Sequence, residues 1–277
     1  MKNGYIFLFC IFSFYAFSQK STILSEELKE ISGIQFLNDT LLVAHNDGGN
    51  QPLLYFLNPI NGKIIKRVFI KGVKNTDWED IALDGDFLFI GDFGNNNNKR
   101  KNLSIIRVSW KDALDHDTIS SDFMTFEYSN QEAFPPEKKT MNFDAECLLF
   151  ANDFLWIFTK NRTDPFDGIS NVYRFQFQKN KHAILKKEYA IKIGSKSWMF
   201  DSVTGGDFLN DCFYLITYNR VLKYSLNKGK FNLLKQYYYK EYNQKEAITV
   251  IKDDEIYVAN EFQKLIGKQK IYRISLK

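Results

Sequence analysis

Short apolar runs alternate with polar turns along the chain after residue 20, and five segments repeat one pattern. In each segment a polar or acidic residue precedes an apolar run, a turn, and a second apolar run that ends in polar residues. Two such runs around a tight turn predict a β-hairpin. The five hairpins span residues 32–45, 79–92, 146–159, 204–217 and 246–260, with Asn or Asp at every turn.

A third apolar run follows each hairpin, and a fourth follows the first four hairpins. The segment from Thr22 to Leu28 can supply the strand that the fifth unit lacks. Four-stranded units repeated around an axis make a β-propeller, and residues 19–277 divide into five units of roughly 52 residues, near the usual blade length. We therefore predict an all-β propeller of five four-stranded blades, with the N-terminal strand closing the last blade. Six blades are the alternative, because residues 109–140 are numerous enough to contain further strands.

The first 18 residues have the pattern of a secretory signal peptide. Lys2 precedes an apolar stretch from Tyr5 to Phe12, and Ala16 and Ser18 are small residues at the −3 and −1 positions of a cleavage site. An uncleaved membrane anchor is the alternative. We expect residues 19–277 to form one exported propeller domain in the periplasm, at the cell surface or outside the cell. No membrane contact is expected after cleavage.

The amino-acid composition agrees with a β-rich fold and argues against nucleic acid as a partner. Aromatic residues make up 16% of the chain, and such side chains pack well on strands. The 37 Lys and Arg residues are scattered and nearly balanced by 33 Asp and Glu, whereas nucleic-acid-binding proteins concentrate basic residues on one face. We expect a monomer without a nucleic-acid partner. Cys147 and Cys212 lie in apolar runs, which favours free thiols over a disulfide.

Propeller topology brings the start of each innermost strand and the end of each second strand to the same end of the central channel. We call this end of the channel the mouth. The strand starts carry Glu79, Glu146 and Glu246 at equivalent positions, and Asp77 and Asp144 lie two residues upstream of the first two. Convergent carboxylates require a cation, a shared proton or a basic partner. Carboxylate oxygens suit Ca²⁺, so these five acids are the predicted metal ligands.

The second-strand ends add polar residues to the same mouth. His45, Asp47 and Asp92 are the predicted proton acceptors if the protein is an enzyme. Zinc and copper are disfavoured because His45 is the one histidine at this mouth. The residues predicted to bind a ligand are Asn46, Asn95, Arg100, Lys160, Asn161, Asn219 and Asn260.

Several runs resemble a secreted propeller family related to the SdiA-regulated proteins and the esterase-like phytase propellers, within the wider NHL and SMP-30-like group. They are Glu30-Ile-Ser-Gly-Ile34, His45-Asn-Asp-Gly48, Asp77-Trp-Glu-Asp-Ile-Ala82, Gly91-Asp-Phe-Gly-Asn95 with Arg100, Phe143-Asp-Ala-Glu146, Thr204-Gly-Gly206 and Lys245-Glu-Ala-Ile248. The resemblance implies calcium in the central channel. Two residues depart from the pattern: Cys147 replaces an alanine, and Lys245 stands where glycine is common. Lys245 is placed to reach Glu246 and weaken a metal site there.

Two functions agree with this pattern. The first is an exported propeller that binds calcium and a small or extended ligand at its mouth. The second is a calcium-dependent hydrolase acting on lactones, arylesters or phosphate esters, in which the ion polarises an oxygen atom and Asp92, Asp47 or His45 accepts a proton. The fold cannot decide between them, because propellers carry unrelated functions.

Overall fold

The computed structural model describes residues 19–276, so the predicted signal peptide lies outside the described residues. Within this range the chain forms five small sheets arranged as a five-bladed β-propeller. The strands are β1 (Gln19–Ile23), β2 (Ile31–Asn38), β3 (Leu41–Asn46), β4 (Leu53–Leu57), β5 (Ile64–Lys71), β6 (Trp78–Asp84), β7 (Phe87–Asp92), β8 (Leu103–Ser109), β9 (Thr118–Ser120), β10 (Asp122–Tyr128), β11 (Asp144–Ala151), β12 (Phe154–Lys160), β13 (Ile169–Phe175), β14 (His182–Leu185), β15 (Lys187–Lys192), β16 (Gly205–Leu209), β17 (Cys212–Ile216), β18 (Arg220–Asn227), β19 (Lys230–Tyr238), β20 (Lys245–Lys252), β21 (Glu255–Asn260) and β22 (Lys270–Ser275).

Each blade is antiparallel from the axis outward. Blade 1 is β2-β3-β4-β5, blade 2 is β6-β7-β8-β10, blade 3 is β11-β12-β13-β15, blade 4 is β16-β17-β18-β19, and blade 5 is β20-β21-β22-β1. The innermost strands contact one another in sequence, and β20 contacts β2, so the ring is closed. The prediction of five blades is confirmed.

The N-terminal strand completes blade 5, as predicted. β1 pairs antiparallel with β22, and Gln19 lies opposite Ile274. The strand is shorter than the predicted run to Leu28, because the Ser25 hydroxyl accepts a hydrogen bond from the Glu27 N–H and begins a 3-10 turn over Glu26–Leu28. A strand from one end of the chain thus joins the blade made by the other end.

Residues 109–140 do not form a sixth blade. They contain the helix α1 (Trp110–Asp115), strands β9 and β10, and a 3-10 turn at Lys138–Thr140. β9 joins β5 of blade 1 in parallel, and β14 joins β10 of blade 2 in the same way. The fourth apolar run of the third unit, residues 184–193, is therefore divided between β14 on blade 2 and β15 on blade 3. The second helix, α2 (Trp198–Asp201), precedes blade 4.

The apolar core lies between the blades. Among residues 19–276, five buried clusters each join one blade to the next around the ring. Between blades 3 and 4, the rings of Trp156 and Phe213 meet edge to face with centroids 5.1 Å apart, a geometry that aromatic pairs prefer. The aromatic excess of the sequence is thus largely interblade packing.

A buried carboxylate links three blades near the axis. Asp80, on β6, is completely buried, and its Oδ2 accepts hydrogen bonds from the backbone N–H of Leu148 at 2.9 Å and of Gly206 at 3.3 Å. These donors belong to blades 3 and 4. Burial raises the pKa of Asp80 well above its ordinary value. The backbone N–H donors of Leu148, Ile81 and Gly206 oppose that shift.

Other polar side chains join the remaining blades. Asp207 on blade 4 accepts hydrogen bonds from the Val250 N–H (2.7 Å) and the Thr249 hydroxyl (3.0 Å) on blade 5. Thr249 in turn accepts one from the Phe36 N–H of blade 1 at 3.0 Å. The Ser32 hydroxyl then donates to the Glu79 carbonyl of blade 2 at 2.6 Å. Hydrogen bonds near the axis therefore run through all five blades.

Both described cysteines are free, in agreement with the sequence. Cys147 is completely buried beside Gly206, where an added Cβ would lie 2.6 Å from the Cys147 Sγ. The glycine therefore provides the space that the sulfur occupies. None of the helices within residues 19–276 is long and apolar enough to cross a bilayer.

Replacing Asp80 tests the axial network. We expect Asp80→Ala to lower the free energy of unfolding by about 2 kcal/mol, because the buried N–H groups of Ile81, Leu148 and Gly206 lose their acceptor. Denaturant titration measures this change, with Asp115→Ala at the exposed end of α1 as the control. Equal stability of the two variants would show that the carboxylate is dispensable.

Candidate functional site

The acidic residues at the strand starts occupy β-bulges. The pairing of each innermost strand with the second strand shifts register at Ser32, Glu79, Glu146 and Glu246. A bulge leaves one residue unpaired and redirects its side chain. In blade 4 the equivalent residue, Thr204, instead donates its N–H to the Ile216 carbonyl at 2.9 Å. The repeat thus delivers three glutamates to one end of the propeller.

Three carboxylates of blades 1 and 2 form the tightest acidic group. Ligand oxygens of Asp47, Asp77 and Glu79 lie within 4.8 Å of one another. Asp47 follows the end of β3, and the other two residues flank the start of β6. At that separation two carboxylates repel by about 3 kcal/mol at an effective dielectric constant of 20. We call these three residues the carboxylate triad.

Glycine residues bring the backbone against this triad. A Cβ at Gly94 would lie 2.0 Å from the Glu79 Oε1 and 2.6 Å from an oxygen of Asp77, and a Cβ at Gly48 would lie 2.5 Å from the Asp77 Oδ1. The carboxylates therefore occupy space that a side chain at either position would need. The donor set is all oxygen, which fits a hard cation such as calcium and does not favour zinc or copper.

The triad carries more negative charge than its surroundings balance. Burial raises the pKa of Asp47 to about 7, and the charges of Asp77 and Glu246 add to this shift. Burial also raises the pKa of Asp77 to about 6, although Arg100, 3.8 Å away, opposes it. The pKa of Glu79 is raised well above its ordinary value by burial and by the charges of Glu146 and Asp47. These carboxyls need a proton or a cation.

The other two glutamates have partners from blades 3 and 4. Lys160 Nζ lies 3.1 Å from the Glu146 Oε1 and donates to the Tyr218 hydroxyl at 3.0 Å. Tyr218 donates to the Glu246 Oε1 at 2.9 Å. Burial opposes the charge on Lys160, but Glu146 and Glu246 outweigh it and raise the lysine pKa above its ordinary value. The Glu246 Oε2 is buried and has no hydrogen-bond partner.

Two arginines pair with Asp144 and Asp92. Arg162 Nε lies 2.7 Å from the Asp144 Oδ2, and Arg100 Nη2 lies 2.6 Å from the Asp92 Oδ1. Asp144 also accepts the Asn95 N–H at 2.7 Å. The five predicted metal ligands are therefore divided: Asp77 and Glu79 are in the triad, whereas Asp144 and the other two glutamates have basic or phenolic partners.

His45 lies beneath the mouth. Its ring is completely buried, with Nδ1 3.1 Å from the Asn46 carbonyl oxygen, and it meets the Trp78 ring edge to face. Burial lowers the pKa of His45 to about 4, so the imidazole is neutral at physiological pH. A Cβ at Gly33 would lie 2.2 Å from its Nε2. The ring occupies the space that this glycine leaves.

Three of the predicted ligand-binding amides stabilise the surrounding loops. The Asn95 Oδ1 accepts the N–H groups of Lys99 and Arg100, and the Asn161 Oδ1 accepts both donors of Thr163. The Asn219 Oδ1 accepts hydrogen bonds from the hydroxyl of Thr217 and from Arg220. These hydrogen bonds stabilise the conformation of the loops around the mouth.

Asn46 and Asn260 differ from those three amides. The Nδ2 of each donates to backbone carbonyls, and the Oδ1 of each is buried without a partner. Their ligand-binding role stays a prediction. The Oδ1 of each remains available to a hydrogen-bond donor of a ligand.

Lys245 does not approach Glu246 as the sequence suggested. Its Nζ donates to the Glu241 carbonyl at 2.8 Å and to the Asn243 Oδ1 at 2.5 Å, and it lies over the Tyr239 ring. Burial lowers the pKa of Lys245 to about 7. The cations that reach Glu146 are Lys160 at 3.1 Å and Arg162 at 3.5 Å.

Tyr218 and Glu261 were missing from the predicted site. Tyr218 connects Lys160 to Glu246, yet a tyrosine just after an apolar run is indistinguishable in sequence from a core residue. Glu261 follows Asn260 at a second-strand end, and this position was a usable signal. Burial, with the charges of Glu246 and Asp47, raises the pKa of Glu261 to about 9.

We expect the protein in chelator to become less stable as pH rises. The triad carboxyls Asp47 and Asp77 hold protons in the folded state at pH values where the unfolded chain has released them, because their folded pKa values exceed 3.8. Their contribution to stability is fully present below about pH 4 and is lost as pH rises through about 7. Melting temperatures in EDTA between pH 6.5 and about pH 8 measure the trend, because the buried His45 acts in the opposite direction below pH 6.5. A melting temperature that rises with pH over this range would contradict the charge assignment.

Comparisons with known proteins identify the fold. No protein-family model and no curated protein sequence matches the chain. Among solved structures, glutaminyl cyclase from Myxococcus xanthus is similar with a TM-score of 0.54 and 11% identity, over 92% of this chain and 94% of that one. The soluble aldose sugar dehydrogenase of Escherichia coli gives 0.52 and 13%, over 94% and 100%. A putative glucose dehydrogenase from Thermus thermophilus gives 0.51 and 9%, over 94% and 100%.

Identities this low support the architecture and carry no activity to this chain. The similarity extends over nearly the whole described chain, so the comparison concerns the complete ring. The chain is a β-propeller by fold.

Proposed function

We propose that this protein is a calcium-binding propeller whose mouth captures a small or extended ligand. The observation that carries the proposal is the carboxylate triad, in which three buried or half-buried acids converge within 4.8 Å. Asp47, Asp77 and Glu79 would hold the ion. Bound calcium would supply a Lewis-acidic centre for a carbonyl, carboxylate or phosphoryl oxygen of the ligand.

The surrounding residues suit a ligand that carries such an oxygen. Arg100 and Arg162 have side chains that are 15% and 20% exposed, so each remains partly accessible at the acidic mouth. Guanidinium groups bind carboxylates and phosphates in fixed geometry. Their ion pairs with Asp92 and Asp144 hold them in place, which lowers the entropy lost when a ligand binds.

The sequence resemblance supports the same proposal. The motifs that match the SdiA-regulated and esterase-like phytase propellers contain Asp47, Gly48, Asp77, Glu79 and Gly94, which are the triad and the glycines beside it. We propose membership of that family together with export through the N-terminal signal peptide. Extracellular calcium modules bind the ion with dissociation constants of about 10⁻⁴–10⁻³ M, and we expect this range here.

Binding without turnover is the function that the site supports best. A hydrolase needs a free proton acceptor near the ion. Of the three predicted acceptors, all within residues 19–276, Asp47 belongs to the triad, Asp92 accepts hydrogen bonds from Arg100 and from the Asp77 N–H, and His45 is buried. Each of them already has another role.

Removing a triad carboxylate tests calcium binding. We expect Glu79→Gln to weaken calcium binding by about tenfold or more, because ligand charge sets affinity in such sites. Isothermal titration calorimetry measures this, with Asp153→Asn at the opposite end of blade 3 as the matched control. Calcium affinity unchanged by Glu79→Gln would contradict the site.

A second variant changes the space at the triad and keeps its charge. We expect Gly94→Ala to reduce calcium affinity as strongly as Glu79→Gln, because its Cβ would displace the Glu79 and Asp77 carboxylates. Melting in EDTA shows whether this variant is folded. A folded Gly94→Ala protein with normal affinity would place the ion elsewhere.

Substrate screening separates the two functions. We expect no chelator-sensitive hydrolysis of lactones, arylesters or phosphate esters by the purified mature protein. Each substrate is assayed with calcium and with EDTA. Turnover that disappears in EDTA and in Glu79→Gln would establish the hydrolase and reject the binding module.

A further inference from the structure

A separate cavity lies on blade 5 at the same end of the propeller as the mouth. It measures about 300 Å³ and lies between the segment that precedes β20 and the loop that joins β21 to β22. The lining residues that matter here are Glu241, Tyr242, Asn260, Glu261, Gln263 and Ile266. Glu261 places this cavity next to the acidic mouth, since its carboxyl responds to the charges of Glu246 and Asp47.

The cavity wall carries hydrogen-bond acceptors that have no donor. Asn260 is 2% exposed, and its Nδ2 donates to the carbonyls of Glu261 at 2.7 Å and Lys268 at 3.2 Å. These bonds fix the orientation of the amide and leave its Oδ1 without a partner. Gln263 is arranged in the same way, because its Nε2 donates to Gln244 and its Oε1 is unpaired. Buried polar atoms normally have partners, so these two oxygens are available to a hydrogen-bond donor.

Among residues 19–276, two acids and two lysines line the cavity, and one of the acids has no cationic partner. The acids are Glu241 and Glu261, and the lysines are Lys268 and Lys270. Lys268 pairs with Glu26 at 3.6 Å, and Lys245, outside the lining, donates to the Glu241 carbonyl and to Asn243. Lys270 lies 4.0 Å from the Glu241 Oε2, which also accepts the Tyr272 hydroxyl at 3.3 Å. Glu261 has no ion pair among the described residues.

The rim of the cavity is apolar and aromatic. Tyr242 is 43% exposed and Ile266 is 52% exposed, and the Tyr272 ring forms part of the wall. Aromatic faces attract cations, and methylene stems pack against such surfaces while their charged ends reach polar groups. Acceptors and carboxylates inside an apolar rim suit a cation on a short hydrocarbon chain.

We propose that this cavity binds a primary alkylammonium group, from a free diamine or from a lysine side chain of a polypeptide. An ammonium group has three donors and no acceptor, which matches the unpaired oxygens of Asn260 and Gln263 and the carboxylate of Glu261. A neutral hydroxyl would satisfy the acceptors but, unlike an ammonium group, would not favour the ionised form of Glu261. The site is distinct from the carboxylate triad and does not depend on calcium.

Calorimetry in EDTA tests the proposal on the mature protein. The probes are 1,5-diaminopentane and a pentapeptide with one central lysine, with 1,5-pentanediol as the neutral analogue. We expect at least one ammonium probe to bind, the diol to show no binding, and Glu261→Gln to weaken binding by about tenfold. Glu188→Gln, an exposed acid on β15, is the matched control and is expected to bind normally.

Further variants keep the result independent of calcium binding and of folding. Tyr242→Ala removes an exposed ring, so the protein is expected to fold while ammonium binding weakens. Glu79→Gln is expected to lose calcium binding and to retain ammonium binding. Preference for the peptide over the diamine would identify a polypeptide as the source, and the reverse preference would identify a free amine.

Three results would overturn the proposal. The first is the absence of binding by both ammonium probes. The second is equal binding of the diol, which would show that charge is irrelevant. The third is a second calcium ion per chain that disappears in Glu261→Gln, which would make the cavity acids a metal site.

Discussion

The Asp80 carboxylate is the interaction on which the rest of the propeller depends. It is completely buried, and it joins the innermost strands of blades 2, 3 and 4 through the N–H groups of Leu148 and Gly206. Interblade packing is apolar and has little directionality, whereas these hydrogen bonds specify how the strands are positioned along the axis. Asp207 and Thr249 extend the same function to blades 5 and 1.

Because the strand positions are fixed, acidic side chains can be held together at the mouth although they repel one another. The bulges at Glu79, Glu146 and Glu246 bring three glutamates from blades 2, 3 and 5 to one end of the ring, and their mutual repulsion opposes this arrangement. Lys160 and Arg162 offset part of that repulsion on blade 3. Among residues 19–276, the one ion pair of the triad on blades 1 and 2 is with Arg100, 3.8 Å from Asp77, so its remaining charge is what a cation would neutralise. The repeated blades thus differ in charge: the acids of blade 3 are paired with cations, whereas the triad on blades 1 and 2 keeps unpaired negative charge.

The repeat allowed the blade number, the closing strand and the convergence of Glu79, Glu146 and Glu246 to be predicted from sequence, because equivalent strand positions meet at one end by topology. The distribution of partners was not predictable in the same way. Lys245 was expected at Glu246, but its side chain turns toward Tyr239, and Lys160 reaches the glutamates through Tyr218. Asp80 lies within an apolar run, and its role depends on N–H groups more than 60 residues away. Such pairings arise from tertiary packing, which local sequence does not encode.

The calcium dependence of thermal unfolding is the most direct test of calcium binding by Asp47, Asp77 and Glu79. Purified mature protein is freed of metal with EDTA, and its melting temperature is then followed as calcium is added at about pH 7.5. A ligand that binds only the folded state stabilises it in proportion to the logarithm of its concentration above the dissociation constant. We expect a melting temperature that rises with calcium in the wild type and much less in Glu79→Gln. A wild-type melting temperature that is the same in EDTA and in millimolar calcium would contradict it.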